Sequence, residues 1–124
     1  MFSISFPYWH QLGVPCETPV EDLTSACLTQ LLKQQTAPSD TAALIIEAVL
    51  GEGEYVPAPA AFLHGLREVC TKHNILLIID EVQSGMGRTG DYWAIKESGV
   101  KPDILLTAKC PGNGFPISGV IYPG

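Results

Sequence analysis

The chain has 124 residues and a formal net charge of −6, with 13 Asp and Glu residues against 7 Lys and Arg residues. This length fits one small domain, which buries about two thirds of the surface that its unfolded chain exposes. We exclude nucleic acid as a partner, because binding to a phosphate backbone needs clustered positive charge and the sequence has no such cluster.

The cysteines indicate neither a metal site nor a disulfide framework, since they form no C-x-x-C pair and have no histidine at zinc-finger spacing. Apolar runs such as residues 75–79 are far shorter than the roughly 20 residues of a membrane helix. Residues 1–14 lack the features of a signal peptide or a mitochondrial presequence. We therefore expect a soluble cytoplasmic chain with no membrane partner. A mitochondrial location stays open if further residues precede Met1.

Residues 1–41 are predicted to form an irregular aromatic segment followed by a helix. Residues 1–17 carry aromatic residues and prolines with neither a helical nor a strand period. Residues 18–21 have the form of a capping box, with Pro19 at the first helical position, and apolar residues follow at helical spacing. A helix is therefore predicted over about residues 19–35.

Strands and helices alternate over residues 42–124. The apolar run 42–49 predicts a strand covered on both faces, 51–59 a loop, and 59–73 a helix. Residues 75–79 predict a second strand, 85–90 a loop, 92–98 a short helix and 103–108 a third strand, with 118–122 as a candidate fourth. This order predicts an α/β fold with a mostly parallel sheet and right-handed crossovers.

Three charged residues are predicted at the end of the sheet where ligands bind. In an open parallel sheet, ligands bind beyond the carboxyl ends of the strands, where Glu47, Asp80 and Lys109 are expected. Lys109 follows an apolar strand and opens a glycine-rich loop, which is a poor position for a solvated surface charge. If residues 80–82 stay extended, Asp80 and Val82 point to one side and Glu81 to the other. That pair suits a flat heteroaromatic ring, with Val82 on its face and Asp80 at a ring nitrogen.

Each of these residues also has an ordinary structural interpretation. A strand-end aspartate such as Asp80 is often a cap or a loop anchor, and Lys109 could equally contact a phosphate or lie at the surface. Taken singly, Val82 and Gln83 fit a core and a turn position, and Glu47 fits an acid that faces water. Residue types alone leave these alternatives open. Nucleotide binding is not predicted, since the glycine-rich stretches match neither phosphate-binding motif.

Taken together, the motifs resemble those of class III pyridoxal-phosphate (PLP) aminotransferases. The resemblance runs from about residue 42 to the end, with several elements in matching order and spacing. These elements are residues 79–90 (IDEVQSGMGRTG), 102–104 (PDI), 107–109 (TAK) and 114–116 (GFP), with Glu47, 51–53 (GEG) and 66–68 (LRE) also fitting. The resemblance implies the large domain of fold-type I PLP-dependent transferases, with residues 42–124 as a PLP-binding fragment of it.

The resemblance also implies a role for each matching residue. Lys109 would bind the cofactor aldehyde covalently and later move a proton between substrate and cofactor carbons. Asp80 would keep the pyridine nitrogen protonated, Val82 would pack on the ring, and Gln83 would hydrogen-bond near the phenolic oxygen. Glu47 resembles the acid that in the family pairs with a substrate-gating arginine far downstream, and that arginine is missing from these 124 residues.

The reaction implied by the resemblance moves an amino group from an amino acid or ω-amine to a 2-oxo acid, in a homodimeric enzyme. A closed pocket would support this chemistry, because desolvation keeps part of a lysine population neutral and nucleophilic. Racemisation or decarboxylation on the same scaffold is left open.

The sequence departs from the family in two places and in length. Ala48 stands where the family usually has proline, and Cys110 and Pro111 replace a glycine and a small or apolar residue. Family members are several times longer and carry the phosphate-binding loop and the substrate-carboxylate arginine outside this stretch. We therefore expect part of a seven-stranded sheet with exposed edges, and weak or no turnover from this chain alone. The alternative is a non-catalytic remnant or an interaction subunit.

Overall fold

The structure is a computed structural model, and it describes residues 3–31 and 37–123. The helices in chain order are α1 (Trp9–Leu12), α2 (Val20–Gln30) and α3 (Ala60–His73). The strands are β1 (Ala43–Glu47), β2 (Val49–Leu50), β3 (Val56–Pro57), β4 (Leu76–Asp80), β5 (Ile104–Ala108) and β6 (Ser118–Ile121). Within the described ranges, 3₁₀ helices span Pro38–Asp40, Ala94–Ser98 and Cys110–Gly112.

The principal sheet has four strands in the order β1-β4-β5-β6. The pairs β1 with β4 and β4 with β5 are parallel, whereas β6 runs antiparallel to β5. The predicted α/β fold with a mostly parallel sheet is therefore confirmed, and all four predicted strands are present within two residues of their expected ends.

Helix α3 has the predicted extent and ends at Asn74, which adopts a left-handed conformation with φ 55°. Its amide donates to the last carbonyls of the helix, the usual way in which such a residue ends a helix. Helix α2 confirms the predicted helix over residues 20–30, and residues 32–35 of that prediction lie outside the described residues. The predicted capping box is wrong, because the N-cap is Pro19 and no side chain caps the helix.

The predicted strand over residues 42–49 is interrupted at Ala48. There the chain leaves the principal sheet, and β2 pairs antiparallel with β3 in a separate two-stranded hairpin. The Ala48 carbonyl accepts a 2.9 Å hydrogen bond from the Ala58 amide, which closes the base of this hairpin. The loop predicted over residues 51–59 therefore contains a strand, and its turn holds Glu54 and Tyr55 at positive φ.

Two shorter segments also differ from the sequence prediction. Residues 1–17 contain the single turn of helix α1, whose Trp9 Nε1 donates a 2.8 Å hydrogen bond to the Thr18 carbonyl. The short helix predicted over residues 92–98 is a 3₁₀ helix that begins at Ala94 and ends before Gly99, at φ 73°. Five residues is long for a 3₁₀ helix, which is used in short pieces, and Gly99 ends it.

One face of the sheet carries the core and the other is largely open. Residues of β4 such as Leu77 and Ile79 pack with Phe62 and Leu66 of α3, and all four side chains are 0 % exposed. Helix α2 adds Cys27 to the same core, and burial raises the pKa of this thiol. The opposite side of the sheet, which we call the open face, carries alternate strand residues, among them Ala43, Ile45, Glu47, Leu76, Ile78, Asp80, Leu106 and Val120.

An ion pair joins α3 to the amino ends of β4 and β5. Arg67 Nη1 lies 2.7 Å from Asp103 Oδ2, which also accepts a 2.7 Å hydrogen bond from the Leu77 amide. Burial raises the pKa of the Asp103 carboxyl, but the Leu77 amide and the Arg67 guanidinium outweigh it and hold that pKa below its usual range. Among the helices of the described ranges, none is long and apolar enough to cross a membrane.

Candidate active site at the carboxyl ends of the strands

Glu47 and Asp80 lie side by side where β1 and β4 end. They are register partners in adjacent parallel strands, so both side chains point to the open face. Asp80 is also the register partner of Leu106 in β5, and Lys109 follows three residues further along the chain. At about 3.3 Å per extended residue, that offset is on the order of 10 Å. The structure therefore brings the two acids together and places the lysine just beyond them.

Asp80 is held by its own turn. Its Oδ1 accepts a 2.9 Å hydrogen bond from the Val82 amide. Strand β4 ends at Asp80 and the chain turns from Val82 onward, so the extended geometry assumed for residues 80–82 is wrong. The physical reason is this bond, since an aspartate side chain that binds the amide two residues on favours a turn over a strand. Within the described residues, Asp80 Oδ2 accepts no hydrogen bond.

Lys109 lies in an unusual backbone conformation and is exposed. Its φ is 61° and its ψ is −80°, between the last residue of β5 and the 3₁₀ helix at Cys110–Gly112. The expectation of a desolvated lysine is therefore wrong for this chain. The reason is that Lys109 has left the sheet for a loop whose residues Asn113, Gly114 and Phe115 are also exposed. Positive φ in a residue other than glycine is strained by about 1–3 kcal/mol and clusters at functional sites.

Glu47 and Gln83 are fixed by the hairpin loop that follows β1. Glu47 Oε2 accepts a 2.9 Å hydrogen bond from the Gly51 amide, and Gln83 Nε2 donates a 3.0 Å bond to Glu52 Oε1. A Cβ at position 51 would lie 2.8 Å from Gln83 Nε2, so a larger residue there would displace the end of the Gln83 side chain. Gln83 lines a cavity of about 650 Å³ and Glu47 lines a second of about 770 Å³. Neither cavity is lined by Asp80 or Lys109.

Sequence reasoning missed two contacts beside these residues. Glu81 is 1 % exposed and is enclosed on the core side of the sheet. Its position after Asp80 indicated the opposite face, but no sequence signal indicated its partners. Arg88 Nε donates a 3.1 Å hydrogen bond to Cys110 Sγ, which joins the loop after β4 to the loop that carries Lys109. Nothing in the sequence links these two residues, which are 22 positions apart.

The arrangement offers two reactive groups, a carboxylate on Asp80 and a primary amine on Lys109. A carboxylate with one unpartnered oxygen stabilises a cation by direct attraction. An exposed primary amine across the same edge can attack a carbonyl carbon when it is neutral. These are two of the groups needed for covalent amine chemistry on an aldehyde.

Comparisons with known proteins agree with this assignment of chemistry. The family model for class-III aminotransferases matches residues 2–123. An acetylornithine aminotransferase from Corynebacterium efficiens is 48 % identical over 97 residues, which are 78 % of this chain and 24 % of that protein. This chain therefore spans about a quarter of the length of that relative.

Solved structures give the same result. The N-acetylornithine aminotransferase from Stenotrophomonas maltophilia is 41 % identical, with a TM-score of 0.72 over 78 % of this chain and 26 % of that one. A PLP-bound amine transaminase from an uncultivated Pseudomonas species is also 41 % identical, with a TM-score of 0.72 over 81 % of this chain and 23 % of that one. The chain belongs to the class III aminotransferase family.

The residues at the strand ends fit part of a PLP site. Asp80 Oδ2 has no partner among the described residues and can accept from a ring nitrogen. Lys109 is exposed in the loop that follows the neighbouring strand β5, and a primary amine is the group that reacts with an aldehyde. A phosphate group needs several donors, and Arg88, in the loop after β4, directs its Nε to Cys110 Sγ instead.

Proposed function

We propose that this chain carries the lysine and carboxylate part of a PLP-dependent transaminase site. The observation that carries the proposal is the placement of Asp80 and Lys109 at the ends of neighbouring parallel strands, in a chain of this family. In the proposed reaction, an amino acid or ω-amine gives its amino group to a 2-oxo acid. The donor becomes a carbonyl compound and the acceptor becomes an amino acid, with no net oxidant required.

Bound PLP would supply a conjugated ring that accepts the electron pair released when a proton leaves the substrate. In the proposed site, Asp80 would hold the proton on the ring nitrogen through its unpartnered oxygen. Lys109 would bind the aldehyde and, once released, move the proton. Val82 would contact the ring, Gln83 would donate near its phenolic oxygen, and Glu47 would gate the substrate side.

The finer assignments are also proposals. A homodimer and a cytoplasmic location follow the expectation for this family and for a chain of this composition. Acetylornithine is the first amino donor to assay, because two similar proteins carry that compound in their names. The division into residues 1–41 and the PLP-binding fragment 42–124 stays a proposal as well.

The test is PLP binding by the purified chain, followed by borohydride reduction and peptide mapping. A reduced adduct confined to Lys109 would support the proposal. The matched control is Lys109→Arg, which keeps the positive charge and removes the reactive amine. Labelling spread over Lys33, Lys72, Lys96 and Lys101, or unchanged in the control, would overturn the proposal for this chain.

A second candidate function is a non-catalytic interaction subunit, and the open face favours it. Ile45 is 56 % exposed, Leu76 47 % and Val120 60 %, all on this one face. Contiguous exposed apolar residues mark a surface that another protein covers. Under this alternative the chain binds no PLP and associates with a second chain that carries the phosphate site. Sedimentation of the chain with and without PLP, alongside the adduct mapping, separates the two.

A further inference from the structure

Glu81 is a buried acid that the proposed chemistry does not use. Glu81 is 1 % exposed, although a carboxyl group is among the least favourable groups to remove from water. The Glu81 side chain lies on the core side of the sheet, as Ile79 does, whereas the side chain of neighbouring Asp80 lies on the open face. An apolar side chain would extend the core at this position, so the carboxyl group requires another explanation.

Both oxygens of the Glu81 carboxyl group are occupied. Oε2 accepts a 2.5 Å hydrogen bond from Ser84 Oγ, and Oε1 accepts a 2.8 Å bond from the Ile95 amide. The first bond closes the turn that follows β4, and the second fixes the start of the 3₁₀ helix at Ala94–Ser98. A single side chain therefore links two segments that are 14 residues apart.

The backbone of Glu81 is held as firmly as its side chain. Its amide donates a 2.9 Å hydrogen bond to the Leu106 carbonyl of β5, and its carbonyl accepts a 3.0 Å bond from the Gly85 amide. Gly85 packs against Trp93, since a Cβ at position 85 would lie 2.8 Å from the indole ring. The turn from Val82 to Gly85 is thus clamped between the sheet and the 3₁₀ helix.

We propose that Glu81 is a positioning residue for the cofactor-binding turn. By closing the turn on the core side, it sets the direction of the Val82 amide, to which the Asp80 carboxylate is bonded at 2.9 Å. It also sets the direction of Gln83, whose amide group reaches Glu52. The inference rests on the proposed function only in assigning PLP as the ligand of this turn.

The experiment compares Glu81→Ala, Glu81→Gln and Asp103→Asn in the full chain by amide hydrogen exchange. Glutamine can still accept from the Ile95 amide and donate to Ser84 Oγ, so it is the conservative variant that should rescue the turn. Asp103→Asn weakens a partly exposed ion pair at the other end of the sheet, and it serves as the control for general destabilisation. Ser84→Ala, which removes one of the two bonds, takes the place of Glu81→Ala if that variant does not fold.

In Glu81→Ala we expect the Gly85 and Ile95 amides to exchange at least about tenfold faster relative to the Ile79 amide, as loss of a buried hydrogen bond requires. Glu81→Gln should retain most of the protection, and Asp103→Asn should leave the ratio unchanged. Equal acceleration of the Ile79 and Ile95 amides in Glu81→Ala would assign Glu81 a general structural role and overturn the proposal.

PLP titration of the same variants forms the second arm. We expect affinity to fall at least about tenfold in Glu81→Ala and much less in Glu81→Gln, because the ligand residues are displaced rather than removed. Asp103→Asn should keep the native affinity. Equal losses in Glu81→Ala and Asp103→Asn would overturn the proposal. If the native chain binds no PLP, the proposed function fails, and the exchange ratios alone decide whether Glu81 positions the turn.

Discussion

Asp80 and Glu47 are register partners at the ends of adjacent parallel strands, and each carboxylate accepts one backbone hydrogen bond. Asp80 binds the Val82 amide and Glu47 binds the Gly51 amide, both at 2.9 Å. Each acid therefore stabilises the turn that follows its own strand. Each also keeps an oxygen with no partner among the described residues, so structural and ligand-binding roles can be separated by substitution.

Asp80→Asn is expected to separate these two roles. The asparagine carbonyl can still accept from the Val82 amide, so the free energy of unfolding should change by less than about 0.5 kcal/mol. The loss of charge should weaken PLP binding strongly, because no anion remains to hold a proton on the ring nitrogen. Asp80→Ala should show the same loss of PLP and a further loss of about 1 kcal/mol in stability. Urea denaturation and PLP titration measure the two effects, and native PLP affinity in Asp80→Asn would contradict the assignment.

The ion pair between Arg67 and Asp103 predicts a pH-dependent stability. The carboxyl pKa of Asp103 is held below its ordinary value of 3.8. Its contribution is therefore fully present above pH 3.8 and is lost as the pH falls through the lowered pKa of the folded state. In urea denaturation between pH 2.5 and pH 6, the difference in the free energy of unfolding between the native chain and Asp103→Asn should shrink as the pH falls.

The size of this advantage follows from the environment of the pair. The Asp103 side chain is 38 % exposed, which screens the attraction. We expect Asp103→Asn to lower the free energy of unfolding at pH 6 by about 1 kcal/mol, because the asparagine carbonyl can still accept from the Leu77 amide but no longer attracts the Arg67 guanidinium. Arg67→Lys, which keeps charge but not the guanidinium fork, should lose less. A difference between native chain and Asp103→Asn that stays constant down to pH 2.5 would argue against a lowered pKa.

Much of this fold was predictable because its strands are buried on the core side. Continuous apolar runs such as residues 75–79 and 104–106 indicate buried parallel strands by composition alone. The break at Ala48 was not predictable in this way, because residues 42–50 are apolar throughout except for Glu47. The bond from Gly51 to Glu47 and the pairing of β2 with β3 decide it, and both are tertiary contacts.

In the candidate site too, strand periodicity predicted some features, whereas others depend on contacts that the sequence pattern does not show. Strand periodicity placed Asp80 and Glu81 on opposite faces, and the structure has them so. Whether the chain stays extended after Asp80 depends on the hydrogen bond that the Val82 amide donates to the Asp80 side chain. This bond favours a turn over continuation of the strand. The exposure of Lys109 depends on which segments cover the sheet's edge, and the residues around a lysine do not encode that.

Gly85 is expected to be intolerant of even one added carbon. An alanine Cβ would lie 2.8 Å from the Glu81 carbonyl oxygen and 2.8 Å from the Trp93 ring, neither of which can move freely. We expect Gly85→Ala to lower the free energy of unfolding by about 1–3 kcal/mol and to change Trp93 fluorescence. The matched control is Gly112→Ala at another buried glycine, where the nearest atoms are 3.5 Å away. That variant should change stability by less than about 1 kcal/mol.

Trp9 also fluoresces, so the Gly85 measurement is made in a Trp9→Phe background. Retained stability and an unchanged Trp93 spectrum in Gly85→Ala would show that the turn does not pack against the indole. In that case, the clamped geometry of residues 81–85 would be wrong.

The backbone of Lys109 is expected to be strained. With φ at 61° and ψ at −80°, it occupies a region that glycine enters readily and other residues enter at a cost. Lys109→Gly and Lys109→Ala both remove the amine, but only glycine relieves the backbone. We therefore expect Lys109→Gly to be more stable than Lys109→Ala by about 1 kcal/mol in urea denaturation. The control pair is at Lys101, an exposed residue outside the positive-φ set, where glycine should be the less stable of the two. If the alanine variant is the more stable one at both positions, Lys109 carries no backbone strain. If glycine is more stable than alanine at position 109 and less stable at position 101, the fold holds Lys109 in a strained backbone conformation.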